Sequence, residues 1–136
     1  MAAGLSHGAG VKIPLPQKVD VAAALDTFTA HWTPHVLADL NGQQVKVAKL
    51  LGRFEWHSHA AEDELFWVLS GSLEMHFRDG MVTLEAGQML VVPRGVEHMP
   101  VAHEEVQVVL FEPAGTVNTG ENPDGPLTVR ELKKLG

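Results

Sequence analysis

Between residues 36 and 111 the chain is cut into short, apolar-rich runs separated by turn residues. Along 64–69, Glu64, Phe66 and Val68 share one parity and Leu65, Trp67 and Leu69 the other. A period of two is the signature of a strand, because successive side chains leave on opposite faces. The pattern predicts strands over 36–40, 43–51, 53–59, 64–69, 72–78, 81–84, 89–92, 98–101 and 106–111. Turn pairs separate them at Asn41-Gly42, Ser70-Gly71, Asp79-Gly80 and Ala86-Gly87. Asn-Gly and Asp-Gly favour two-residue hairpins, since both central positions tolerate positive φ. Many short strands at even spacing predict an all-β fold, an antiparallel β-sandwich or barrel.

The pattern outside this region is different. Asp20 can cap a short N-terminal helix over about 21–28, with Val21, Leu25 and Phe28 on one face. Residues 1–18, rich in Gly and Pro, read as a flexible N-terminal arm. Residues 19–113 form one barrel domain, and 114–136 a C-terminal loop and tail, with a final strand and helical turn over 126–134. If Glu64, Phe66 and Val68 face the interior, then Leu65, Trp67 and Leu69 face outward. An apolar face of that size is usually covered, here by the N-terminal segment or by a second chain.

The candidate chemistry sits on the same strands. His57 and His59 are two apart, so on a strand their rings project to one face. Glu64 lies beyond the polar stretch Ala60-Ala61-Glu62-Asp63, which reads as a turn, so Glu64 opens the next strand and can face back. His98 follows a short apolar strand, Met89 to Val92, and a tight turn at Pro93-Arg94-Gly95. Three imidazoles and one carboxylate converging in this way point to a metal site. His7, His31, His35, His76 and His103 lie in Gly-rich, turn-like or solvent-facing contexts and are read as ordinary histidines.

Gly52, His57, His59, Glu64 and Gly71, followed by Gly87, Pro93, Gly95 and His98, resemble the two sequence motifs of the cupin superfamily. Gly52 stands one residue nearer to His57 than the usual spacing, and Ala102 replaces the final Asn of the second motif. Neither departure touches a ligand position. The resemblance implies a jelly-roll barrel in which His57, His59, Glu64 and His98 hold one divalent transition-metal ion. A ligand set of nitrogen and oxygen without sulfur suits Fe, Mn, Ni, Co or Zn alike. The resemblance also implies a homodimer with sheets packed back to back. Around the ion we expect an apolar pocket of Phe54, Phe66, Val68, Met89, Val91 and Val108, with Gln107 and Trp56 at its rim. Glu64, with Glu55 or Glu62 at the rim, is the candidate for proton transfer.

Composition narrows the partners. A chain of 136 residues, 45% hydrophobic, suffices for one domain with a real core. A net charge of −7 argues against nucleic acid, whose phosphates demand a basic footprint. No apolar run is long enough for a membrane span, no leader-like N-terminus precedes the domain, and there is no cysteine, which together fit a cytoplasmic protein. The expected partner is a small-molecule substrate or ligand. Three readings of function follow: a metal-dependent oxygenase of dioxygenase type, a sugar or sugar-phosphate isomerase, or a non-catalytic small-ligand-binding module. The isomerase would need a basic group near the ion, for which Lys46, Lys49, Arg53 and Arg94 are the candidates.

Overall fold

The computed structural model describes residues 13–135; His7 and the rest of the expected arm up to residue 12 lie outside the described residues. After an extended, exposed stretch, Asp20 caps a helix, α1 (Val21–Leu25), its side chain accepting from Ala23 N at 2.9 Å. The helix stops earlier than expected. Asp26 and Thr27 turn the chain, and Phe28 leaves the helical face to stack on the His35 ring at 3.9 Å. His35 is therefore a buried aromatic partner rather than a turn residue, and burial lowers its pKa.

Seven strands follow: β1 (His35–Leu40), β2 (Gln43–Arg53), β3 (Glu64–Ser70), β4 (Ser72–Phe77), β5 (Gly80–Glu85), β6 (Met89–Val92) and β7 (His98–Pro113). All pairings between them are antiparallel. The hydrogen-bonded order is β1-β2-β7-β3-β6, and β4 joins β5 to β7. The long strand β7 organises the barrel. Its C-terminal half lies between β2 and β3, and its N-terminal part runs beside β4 and the end of β2. The strands thereby wrap around one interior, to which β2 through β7 all contribute buried residues. Val68, Leu73, Met75, Val106 and Val108 are fully buried there, each stabilising the fold by roughly 1.5–3 kcal/mol.

The β1–β2 hairpin closes through Asn41 (φ 52°) and Gly42 (φ 77°), the two-residue turn expected of Asn-Gly. Asp79-Gly80 differs. Phe77 pairs with Gly80, so Arg78 and Asp79 make the turn and Gly80 opens β5.

Three further expectations are corrected. Residues 54–59 are not a strand: beyond Arg53 the chain arches away, touching β7 only where Phe54 N donates to Pro100 O and where His57 and His98 exchange both backbone bonds. The polar run His103-Glu104-Glu105 is no loop. It lies within β7 as an exposed bulge, between the pairs Gly52–Ala102 and Leu50–Val106. The tail forms no helix over 126–134; Lys134 instead bridges to Val36 beside β1. A second apolar cluster, Ala24, Leu25, Leu37 and Val47 with Phe28, Leu69 and Val109 against it, lies under α1. The helix therefore covers Leu69, but Trp67, Met89 and Val91 stay 45–63% exposed on the same outer face.

Candidate metal centre

Two kinds of backbone bring the ligand candidates together. Glu64 and His98 open regular strands, β3 and β7, whereas His57 and His59 sit on the arch between β2 and β3. The arch is tied down at both histidines: His57 N and O bond to His98 O and N at 3.0 and 2.9 Å, and His59 O accepts from Gly95 N at 2.7 Å. All four side chains are buried, and one ligand atom from each lies within 4.8 Å of the others.

The ring nitrogens are oriented for coordination. His57 Nδ1 lies 2.9 Å from Glu55 O and His98 Nδ1 2.9 Å from Val96 O, so each Nδ1–H donates to a carbonyl. That leaves each Nε2 as a bare lone pair pointing inward. His59 Nε2 and His98 Nε2 lie 3.3 and 3.4 Å from Glu64 Oε1. None of these three inward atoms has a hydrogen-bond partner, although all are buried. Buried polar atoms without partners are costly, and three of them aimed at one point fit a divalent cation.

Electrostatics agree with that reading. His57 has its pKa lowered to about 4, by burial first and by the neighbouring His98 second, so it is a neutral imidazole at pH 7. Burial alone would raise the Glu64 pKa. The His59 and His98 rings and the Glu112 carboxyl beside it outweigh burial and hold Glu64 well below the usual carboxylate range. Behind Glu64 stands a group that sequence reading left out. Glu112, 2% exposed, bonds Lys46 Nζ at 2.6 Å, and Lys46 is itself 1% exposed. Burial and the adjoining Glu64 charge raise the Glu112 pKa well above its ordinary value, against the opposing pull of Lys46.

A cavity of about 30 Å³ opens against the cluster, walled by Phe54 and Phe66 and also by Trp32, Pro34, Leu50, Pro100, Leu110 and Asn118, none of which was expected there. Trp32 stacks on Phe54 at 4.8 Å. Six of the residues expected in the pocket or at its rim lie elsewhere. Val68 and Val108 belong to the packed core below the cavity. Met89 and Val91 face outward, because β6 pairs Val92 with Glu64 and Leu90 with Phe66, which turns the other parity to solvent. Gln107 lies opposite Lys49 with the parity of Val109, on the face toward α1. Trp56 stacks under the Arg78 guanidinium at 3.9 Å. A parity reading could have found Glu112, which shares the parity of buried Val108 and Leu110. No periodicity marked Asn118.

Fold and residues together define a small antiparallel β-barrel with a His/His/Glu/His cluster able to hold a metal ion. A family model described as cupin domain matches residues 43–113, and the chain belongs to the cupin family. It is 31% identical over 87 residues to the Bacillus subtilis protein YdbB, covering 56% of this chain and 77% of that one. Among solved structures it resembles a cupin-2 domain containing protein from Shewanella frigidimarina, with 44% identity and a TM-score of 0.69 over 70% of this chain and 93% of that one. NMB1881 from Neisseria meningitidis is similar at 29% identity and a TM-score of 0.66, covering 72% of this chain and all of that one.

Proposed function

We propose that the protein is a metal-dependent enzyme of dioxygenase type acting on a small, mainly apolar molecule. The observation that carries this reading is the wall of the cavity. Among the described residues that line it, Asn118 is the one polar residue apart from His57 and Glu64; the remainder is aromatic, aliphatic or proline. Bound by the cluster, an ion would supply Lewis acidity and, for iron, redox capacity. The chain supplies the rest. Phe54, Phe66 and Trp32 exclude water and hold an apolar body. Asn118 is fixed by its own bonds to Leu127 O and Val129 N, and keeps one N–H and one lone pair free to orient a polar end. Among the described residues Glu64 is the single carboxylate in the wall, and the place there where a proton can be held.

The isomerase reading loses its support on the same observation. Lys46 is committed to Glu112, Lys49 donates to Phe28 O, Arg94 pairs with Asp63 at the surface and Arg53 is exposed. Among the described residues no lysine or arginine lines the cavity to receive a phosphate. The test is oxygen uptake by iron-loaded protein against a panel of small apolar compounds carrying paired oxygen donors. Substrate-dependent uptake that disappears in His98→Ala is expected. Turnover of sugar phosphates without oxygen uptake would refute the proposal, and ligand binding without turnover would favour a binding module.

A further inference from the structure

The stretch after β7 lies beyond the family match, which ends at residue 113, yet it is bonded directly to the arch that carries His57 and His59. Asn122 Nδ2 donates to Glu55 Oε1 at 2.6 Å, and Leu127 N donates to Glu55 Oε2 at 3.0 Å. Glu121 N donates to Ser58 O at 2.8 Å, and Ala60 N donates to Glu121 Oε2 at 3.2 Å. The approach is close enough that a Cβ on Gly120 would collide with Ser58 O, and one on Gly125 with the Glu55 carboxylate. The stretch is also braced internally. Thr119, fully buried, donates to Asn122 O at 2.7 Å and lies 2.6 Å from Thr128 Oγ1, while Asn118 is held at both ends of its amide.

We propose that residues 118–127 form a strap that sets the metal centre, with Glu55 as the positioning residue through which it acts. The path is short. The strap grips the Glu55 carboxylate by two donors, and the carbonyl of the same residue receives His57 Nδ1–H at 2.9 Å. Glu55 therefore holds the His57 ring in the tautomer and direction that present Nε2 to the cluster. The arch is bonded to β7 only at Phe54 and at the His57–His98 bridge, so the ladder by itself does not fix Glu55 between them. The strap supplies the missing constraint, and it also places Asn118 in the cavity wall. Partners that orient a ligating histidine typically govern metal affinity by 10–100-fold.

The proposal rests on the metal reading of the cluster, and the experiment separates the two. Full-length wild-type, Glu55→Ala, Glu55→Gln, Asn122→Ala and His98→Ala proteins are titrated with Co(II), following the visible absorption bands and the dissociation constant. Wild type should bind one ion per chain. Glu55→Ala should bind roughly tenfold more weakly and with altered bands, reporting a displaced ligand. Glu55→Gln, which keeps one oxygen acceptor, should recover part of the loss, and Asn122→Ala should fall between. If Glu55→Ala proves unstable, Asn122→Ala and Glu55→Gln carry the test, since each removes one strap bond. Wild-type affinity and bands in every strap variant, with binding abolished in His98→Ala, would overturn the strap proposal alone. A wild-type protein that binds no Co(II) would overturn the metal reading and the strap proposal together.

Discussion

Lys46→Met is the substitution whose consequence is best defined by the structure. Lys46 and Glu112 are 1% and 2% exposed and meet at 2.6 Å inside the barrel, with the Glu64 carboxyl on the far side of Glu112. Methionine has nearly the length and volume of the lysine stem, so packing changes should cost under about 1.5 kcal/mol. The larger effect is electrostatic. Without Lys46 the metal-free interior holds two neighbouring carboxyl groups and no ammonium, and removing one partner of a buried pair typically costs about 3–5 kcal/mol. Adding Glu112→Gln to Lys46→Met removes one carboxyl and offers an amide donor to Glu64, so the double variant should recover much of that loss. Urea unfolding of the metal-free proteins at pH 7, read as a shift of midpoint at constant m-value, measures both quantities. A Lys46→Met protein within about 0.5 kcal/mol of wild type, or a double variant whose loss is the plain sum of the singles, would refute the reasoning.

Other predictions follow from separate features. The His57 pKa of about 4 lies below its usual 6.5, so between those values the unfolded chain binds the extra proton and the folded one does not. Stability of the metal-free protein is therefore full above pH 6.5 and should fall by about 3 kcal/mol as pH drops to 4; a flat profile, or loss of that slope only outside this window, would contradict it. We propose a homodimer through the outer face bearing Trp67, Met89 and Val91. Trp67→Asp should then give a monomer by light scattering, whereas an unchanged dimer would move the interface elsewhere. Leu73→Ala, at a fully buried position of the core, should cost about 2–5 kcal/mol by denaturant unfolding without altering metal stoichiometry; a neutral result would mean that the core repacks around it.

The barrel was readable because most of its strands face the interior with one parity only. Along β3 the buried positions alternate from Glu64 to Val68; residues 65–69 are apolar throughout, and it was Glu64, a ligand candidate at the strand's start, that chose the inner parity. The clustering of His57, His59, Glu64 and His98 was readable for a related reason: spacing and turn residues constrain where strands begin. β6 was not. Met89 to Val92 is apolar at all four positions, so it has no alternation from which to choose a face, and only its pairing with β3 decides that Leu90 and Val92 point inward. The mouth of the cavity was hidden more thoroughly. Trp32, at φ 57°, and Asn118 come from segments without period, each placed by a pair of hydrogen bonds, Trp32 by its backbone N to Lys49 O and its Nε1 to Leu51 O. Glu112, and with it the buried pairing of Lys46, was missed because a charge on a strand is ordinarily assigned to solvent. Here each charge shares the parity of buried neighbours, Ala48 and Leu50 for the lysine, Val108 and Leu110 for the glutamate.

The central claim is that four side chains on an arch and two strand ends hold a metal ion. It is tested most directly by elemental analysis of tag-free protein purified without chelator, alongside His57→Ala and His98→Ala. The account predicts about one transition-metal ion per chain in wild type and sharply lower content in both variants, with circular dichroism still reporting a folded barrel. Full occupancy retained by both variants, or no metal in wild type even after reconstitution, would contradict it.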